Sequence, residues 1–179
     1  MAKGTGGFLS PDKIVQEFGI QEGMRAADFG CGAGYFTISL AKSIGEKGKV
    51  YAVDVLQTAL ESVRSSAKDQ GLLNIETMRA NLEVLGGSKL EDESLDIVLL
   101  ANILFQSPKK NNIIKEANRV LKKGGKMIVI EWQKNQPLGP PEKLIVEKEL
   151  IKEIAEKQKL KFEKDIPAGE HHWGAIFVK

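Results

Sequence analysis

The chain has 179 residues, and we expect residues 1–179 to form a single domain in which residues 1–9 are a flexible N-terminal segment. Lys plus Arg (26) nearly balance Asp plus Glu (24), and the net charge of +2 contains no block of like charge typical of a nucleic-acid-binding arm. One cysteine excludes an intramolecular disulfide, and with no secretory leader or long apolar run we expect a cytoplasmic protein without a membrane span.

Strand-like and helix-like segments alternate along the chain, a pattern typical of a parallel sheet covered by helices. Ser10 is predicted to cap a first helix that begins at Pro11 and ends at Phe18. The following predicted elements are strand 25–29, helix 35–44, strand 49–54, helix 56–70, strand 74–79, strand 95–101, helix 113–121, strand 126–131, helix 142–159, a strand around Phe162 and strand 175–178. The last connection is too short for a parallel crossover. We therefore expect an α/β sandwich of three layers, with a seven-stranded, mostly parallel sheet whose last strand is antiparallel.

The turn after the first strand reads Ala27-Asp28-Phe29-Gly30-Cys31-Gly32-Ala33-Gly34-Tyr35. Glycines at alternate positions allow a ligand to approach the backbone closely. The third glycine comes one residue too early for the dinucleotide fingerprint G-x-G-x-x-G. A carboxylate at Asp28 would also repel a pyrophosphate and attract a cation. Both features favour S-adenosylmethionine, which carries an ammonium and a sulfonium but no phosphate.

A second acidic residue, Asp54, ends the second predicted strand, 20 positions after Gly34. An acidic residue at this place can accept hydrogen bonds from the two ribose hydroxyls of a nucleoside. The spacing predicts that Asp54 and the glycine turn lie together at the carboxyl ends of adjacent strands, where open α/β sheets bind their ligands.

At this point the chain resembles the class I S-adenosylmethionine-dependent methyltransferases, and especially a small bacterial and archaeal branch related to the ubiquinone-biosynthesis enzymes. The resemblance depends on the glycine turn and on four further segments: Val53-Asp54, Ala80-Asn81-Leu82, Asp96-Ile97-Val98-Leu99 and Arg119-Val120-Leu121-Lys122-Lys123-Gly124-Gly125. It implies a Rossmann-like fold and S-adenosylmethionine as cofactor, with no metal site.

The resemblance also implies which residues bind the cofactor. The glycines would shape the turn around the methionine moiety, and Asp28 would lie near its ammonium group. Asn81 takes the place of a frequent Asp beside the adenine amino group, where its carbonyl can accept the same hydrogen bond. The full implied set is Asp28, Gly30, Gly32, Gly34, Asp54, Val55, Leu56, Asn81, Leu82, Ala101 and Asn102.

The methyl acceptor is expected beyond the fourth, fifth and seventh strands. His172 and Glu131 are the candidate catalytic residues, because either could take a proton from the acceptor, although a packing role for the histidine and a paired charge for the glutamate stay open. The predicted acceptor pocket consists of Phe105, Gln106, Trp132, His171 and Trp173. The proline-containing loop 133–141 is a candidate lid.

We expect in-line methyl transfer to an O or N nucleophile of a small molecule. A protein side chain of the lysine type stays open as acceptor, whereas nucleic acid is disfavoured because no N-P-P-Y-type tetrapeptide follows the fourth strand. A non-catalytic cofactor-binding subunit is the main alternative to an enzyme. A nicotinamide dehydrogenase is disfavoured by the glycine spacing, and a polyamine synthase by the lack of acidic residues at positions 102–106. The expected assembly is a monomer or a homodimer.

Overall fold

In the computed structural model, which describes residues 9–179, seven strands form one sheet in the order β3-β2-β1-β4-β5-β7-β6. The strands are β1 Arg25–Phe29, β2 Lys49–Asp54, β3 Ile75–Arg79, β4 Leu95–Ala101, β5 Leu121–Trp132, β6 Lys161–Ile166 and β7 His172–Val178. Strand β7 is antiparallel to both of its neighbours, and the pairs among β1 to β5 are parallel. The predicted mostly parallel sheet with an antiparallel last strand is confirmed.

The described residues contain five helices: α1 Pro11–Val15, which precedes β1, and α2 Tyr35–Ile44, α3 Gln57–Asp69, α4 Lys110–Val120 and α5 Lys148–Lys157, which connect strands. Short 3-10 turns cover Gln16–Phe18, Leu104–Gln106 and Glu142–Leu144. Among the described helices, none combines the length and the apolarity needed to cross a membrane. The predicted flexible segment lies outside the described residues except for Leu9.

The sheet buries an apolar layer on each face. Alternate residues of a strand point to opposite faces, so β1 places Ala27 and Phe29 on one side and Ala26 on the other. The first side packs against α4 and α5 and is called here the α4/α5 face, and the second packs against α1 and α2 and is called the α1/α2 face. This alternation decides which side chains at the carboxyl ends of the strands can meet.

The helix predicted at 142–159 is wrong in extent, because α5 begins only at Lys148. Pro141 is followed by a single 3-10 turn, and Ile145 then has a non-helical backbone, with φ −60° and ψ 133°. Val146 is fully buried, and its carbonyl accepts a hydrogen bond of 2.9 Å from the indole Nε1 of Trp173. A tertiary contact therefore fixes this segment in a non-helical form.

Two smaller predictions also need correction. Ser10 precedes α1 as predicted, but its side chain makes no capping hydrogen bond. Strand β5 begins at Leu121, five residues before its predicted start, and its pairing with β4 shifts register between Leu95 and Ile97. Gly124, with φ +78°, allows the extra residues to bulge out of the ladder.

Candidate functional site

The glycine turn between β1 and α2 has a left-handed backbone at each of its three glycines, with φ of +76°, +49° and +85° at Gly30, Gly32 and Gly34. A Cβ on Gly30 would lie 2.6 Å from Ile103 Cδ1, and one on Gly34 would lie 2.7 Å from Val63 Cγ2. A Cβ on Gly32 would meet no atom within 4 Å. Two glycines thus permit close packing, and Gly32 leaves a bare backbone facing open space.

Asp54 ties the end of β2 to this turn. Its Oδ2 accepts a hydrogen bond of 3.0 Å from the amide of Gly32, and its Oδ1 accepts one of 2.9 Å from the amide of Leu56. The amides of Gly30 and Cys31 donate to the carbonyl of Val53. Because each carboxylate oxygen can accept a second hydrogen bond, Asp54 keeps capacity for two ligand hydroxyls.

Asp28 is a buried carboxyl group on the α1/α2 face, and its Oδ2 accepts a hydrogen bond of 2.6 Å from Thr37 Oγ1. Burial raises the pKa of Asp28 to about 6, the hydrogen bond from Thr37 opposes this, and the charge of Asp54 adds to it. A cation bound beside Asp28 would compensate the cost of burying its negative charge.

Two adjoining cavities meet at Gly30. The larger cavity, of about 440 Å³, is lined by Gly32, Asp54, Val55, Leu56, Asn81 and Leu82, among others. The smaller cavity, of about 310 Å³, is lined by Asp28, Cys31, Tyr35, Phe36, Ala101 and Asn102, among others. Every residue that the sequence predicts for the cofactor therefore lines one of the two cavities, apart from Gly34, which packs against Val63.

The cavities suit S-adenosylmethionine in size and charge. Their volumes fall in or near the range of about 300–1,000 Å³ typical of small-molecule sites. The larger cavity offers Asp54 for ribose hydroxyls and the half-exposed side chains of Val55 and Leu56 for an apolar ring. Asn81 Oδ1 already accepts the amide of Glu83 at 2.9 Å and has one lone pair left. The smaller cavity has the buried carboxyl of Asp28 in its lining, a group whose negative charge is complementary to an ammonium.

The turn after β4 separates the cavities. Asn102 has a left-handed backbone, with φ +55°, and its amide donates to the carbonyl of Ile130 at 2.8 Å. Gln106 Nε2 donates to the Asn102 carbonyl at 2.7 Å. Ile103 and Gln106 line the larger cavity, and Asn102 lines the smaller one.

His172 lies behind Asn102 and lines neither cavity. Its Nε2 is 3.3 Å from Asn102 Nδ2, and its ring packs on Trp132 with centroids 4.1 Å apart. Burial lowers the pKa of His172 to about 4, with a smaller effect from the neighbouring His171, so the imidazole is neutral at pH 7. His172 Nδ1 and Asn102 Oδ1 are buried without a hydrogen-bond partner within residues 9–179.

Glu131 points to the α4/α5 face, opposite to the side of Trp132 and His172. It is fully buried, and its Oε1 accepts a hydrogen bond of 2.6 Å from the amide of Leu104. Burial raises the pKa of Glu131 to about 7, although amides of the 3-10 turn and the charge of Lys110 oppose this rise.

The structure does not bring the predicted acceptor residues together in one pocket. Gln106 lines the larger cavity, but Phe105, Trp132, His171 and Trp173 line neither cavity. Trp173 is paired with Glu131 on the sheet and shares its face. His171 Nδ1 lies 2.6 Å from Gln136 Oε1, a contact that attaches the loop 133–141 to the start of β7.

Several residues of the site were not predicted from the sequence. Pro11, Tyr35 and Phe36 line the smaller cavity, and Thr37 holds Asp28. The signal for Thr37 was available, since a threonine on the buried side of a helix needs a polar partner nearby. The role of Pro11 depends on how α1 folds back onto the sheet, which local sequence does not encode.

Comparison with known proteins gives consistent results. Residues 20–178 match the family described as Methyltransferase domain. The ubiquinone/menaquinone biosynthesis C-methyltransferase UbiE of Shewanella sp. (strain ANA-3) is 32% identical over 123 residues, which are 68% of this chain and 48% of that protein. The demethylmenaquinone methyltransferase of Bacillus subtilis is 30% identical over 128 residues, 72% of this chain and 54% of that protein. The chain thus spans about half the length of these curated relatives.

A solved structure shows the same fold over nearly the whole chain. The crystal structure of a SAM dependent methyltransferase from Aquifex aeolicus superimposes with a TM-score of 0.86 at 27% identity, and the match covers 96% of this chain and 90% of that one. The sheet that carries the glycine turn and the two cavities is therefore the sheet of a methyltransferase fold.

Proposed function

The chain belongs to the class I S-adenosylmethionine-dependent methyltransferases, and we propose that it transfers the methyl group to a small, largely apolar ring molecule that carries an ionisable hydroxyl. The observation that carries this proposal is the lining of the smaller cavity, which combines Asp28 with the aromatic side chains of Tyr35 and Phe36. The cofactor, when bound, supplies an electrophilic methyl group on its sulfonium.

The chain's own residues would bind and orient. Asp54 and Gly32 would hold the ribose, and Asp28 would hold the ammonium group. Asn102 would lie beside the part of the cofactor that passes between the two cavities. The apolar residues in the lining of the smaller cavity, such as Leu9, Phe36 and Ala101, would shield the reacting atoms from part of the solvent. Positioning and desolvation of the nucleophile are sufficient for this reaction class and contribute a large part of its rate.

The titratable groups of the smaller cavity favour an acceptor that ionises readily by itself. Of the described residues lining that cavity, the titratable ones are Asp28, Cys31 and Tyr35. Burial raises the pKa of the Cys31 thiol far above its usual range, so it does not act as a thiolate near pH 7. A phenol-like hydroxyl can lose its proton to solvent and make either its oxygen or the adjacent ring carbon nucleophilic.

The names of the relatives favour carbon over the O or N nucleophile expected from the sequence, since UbiE is named a C-methyltransferase. We therefore propose the ring carbon beside the hydroxyl as the methylated atom. This carbon would form its bond to the methyl group as the methyl–sulfur bond of the cofactor breaks, S-adenosylhomocysteine would leave, and the ring carbon would then lose its hydrogen to solvent as a proton. The catalytic roles predicted for His172 and Glu131 stay predictions, and neither side chain lines either of the two cavities.

A methyl-transfer screen tests this proposal. Cofactor with a labelled methyl group is incubated with pools of hydroquinones and phenols, peptides and RNA, and the product is analysed by mass spectrometry and carbon NMR. We expect a C-methylated ring product that is lost in Asp54→Ala. Label in a lysine side chain would show instead a protein methyltransferase. Tight cofactor binding without transfer to any pool would favour a non-catalytic subunit.

A further inference from the structure

The side chain of Glu131 is fully buried, and the hydrogen bond that it accepts comes from the inner side of the turn after β4. Its Oε1 is 2.6 Å from the Leu104 amide, and its Oε2 is buried with no hydrogen-bond partner among the described residues. The amides of Ile103 and Phe105 also point toward the carboxylate. Leu104 itself is fully buried. The carboxylate therefore accepts from backbone amides at the start of the 3-10 turn, and it lies behind this turn and lines neither cavity.

The segment Asn102–Gln106, which contains this 3-10 turn, contributes residues to the walls of both cavities. Ile103 packs so closely on Gly30 that a Cβ there would lie 2.6 Å from Ile103 Cδ1. Gln106 lines the larger cavity and holds the carbonyl of Asn102, which lines the smaller one. A shift of the turn would thus change the space for the cofactor and the space beside it at the same time.

We infer that Glu131 is a positioning residue that holds the turn Leu104–Gln106 against the glycine turn through its hydrogen bond to the Leu104 amide, and does not take a proton from the acceptor. This inference rests on the proposed function only where turnover is measured. A buried acceptor that receives backbone amides orders them because leaving those N–H groups unpaired in the interior is costly.

The charges around Glu131 agree with this role. The neighbouring amides and Lys110 act on it in the same direction and favour its ionised form against the cost of burial. A neutral amide of the same shape can still accept the Leu104 hydrogen bond through one oxygen. A shorter carboxylate keeps the charge but withdraws the oxygen from the amide. The two substitutions therefore distinguish the hydrogen bond that positions the turn from the ability of Glu131 to accept a proton.

The experiment compares Glu131→Gln with Glu131→Asp, and uses Val129→Ala as control. Val129 is a fully buried residue of the same strand and face that does not contact the turn by a hydrogen bond. Cofactor affinity is measured by calorimetry, and exchange of the Leu104 amide is measured by NMR. We expect Glu131→Gln to bind the cofactor within about twofold of the parent, and Glu131→Asp to bind about tenfold more weakly with about tenfold faster exchange at Leu104.

Val129→Ala should lower the free energy of unfolding, and the exchange rate of the Leu104 amide should rise only as far as this loss of global stability explains. Equal affinity and equal Leu104 exchange in all variants would overturn the inference. A second result would also overturn it: Glu131→Asp keeps its turnover, whereas Glu131→Gln loses both its turnover and the pH dependence near 7. That result would identify Glu131 as a base. Since binding and exchange need no acceptor, failure of the proposed acceptor class would leave these two readouts intact.

Discussion

Thr37 Oγ1 donates a hydrogen bond of 2.6 Å to Asp28 Oδ2, and this contact joins the first turn of α2 to the end of β1. Both residues are buried, with Asp28 2% exposed and Thr37 fully covered. The hydroxyl supports a carboxylate that is otherwise costly to bury. We infer that this pair prepares a negative charge for the cationic end of the cofactor, and two predictions test the partners separately.

Asp28→Asn should weaken cofactor binding and at the same time stabilise the free protein at high pH. Burial raises the pKa of Asp28 in the folded state from 3.8 to about 6, so folding favours the protonated form. The stability that this group contributes is present below the unfolded pKa and is lost as pH rises through about 6. Denaturant unfolding should show a gain of up to about 3 kcal/mol for the variant near pH 8 relative to near pH 4. A pH-independent difference would contradict this prediction.

Thr37→Val should leave the carboxylate in place but remove its hydrogen-bond donor. Because the Thr37 hydroxyl lowers the pKa of Asp28, its loss raises that pKa further, and less of the anion is present near pH 7. Calorimetry across pH should show that cofactor affinity rises with pH in both proteins, with the rise displaced to higher pH in the variant. If the pH dependence of cofactor affinity is unchanged in the variant, the ionisation of Asp28 does not control cofactor binding.

Gly32→Ala should cost cofactor affinity by filling the space in front of the bare backbone. Gly71 offers a matched control, because it also has a left-handed φ, +66°, and a Cβ added to it would meet no atom within 4 Å, but it lines neither of the two cavities. Each alanine should lower the free energy of unfolding by about 1–2 kcal/mol. Calorimetry should find weaker binding in Gly32→Ala alone. Equal affinities would place the cofactor elsewhere.

His172→Ala should lower acceptor turnover, because the imidazole contacts Asn102, which lines the smaller cavity. Cofactor affinity should stay within about twofold, because His172 itself lines neither cavity. Burial lowers the pKa of His172 to about 4, so its titration should produce no change in rate between about pH 6 and pH 8. His171→Ala is the control, since the chain has only these two histidines. Turnover that is unchanged in His172→Ala would remove this residue from the mechanism.

Glu116→Ala should destabilise the fold more than any substitution above. Burial alone would raise the pKa of Glu116, but hydrogen bonds from Arg119, Ser88 and the Gly86 amide lower it to about 2. The carboxylate is fully buried, and its partner Arg119 also bonds the carbonyl of Leu90. Loss of one partner of such a pair costs about 3–5 kcal/mol. Thermal unfolding measures this cost, and a shift no larger than that of an exposed variant such as Glu61→Ala would contradict it.

The position of Asp54 beside the glycine turn could be predicted from the sequence because its determinants are local. Gly30, Gly32 and Gly34 lie in one turn, and parallel pairing of β1 with β2 brings Asp54 to the same edge. Strand and helix boundaries around this turn were also confirmed. Here the local pattern and the fold specify the same geometry.

The acceptor half was predicted poorly for a definite reason. Glu131 and Trp132 are neighbours in sequence, and so are His172 and Trp173, but neighbours on a strand point to opposite faces of the sheet. The α1/α2 face receives Trp132 and His172, and the α4/α5 face receives Glu131 and Trp173. The alternation of side chains along a strand is enough to predict that the two members of each pair lie on opposite faces. The place of Pro11 in the lining of the smaller cavity could not be predicted in this way, because it depends on packing between distant segments.

The placement of β7 between β5 and β6 has a consequence for the order in which the molecule assembles. Among the described strands β6 pairs only with β7, so it cannot join the sheet until the later strand has been synthesised. Until then β5 presents an open edge of unpaired backbone groups, which is a site for aggregation. The glycine turn and Asp54 can be in place on the ribosome before His172 exists. The nascent chain can therefore acquire its nucleoside-binding edge first and the surroundings of Asn102 last.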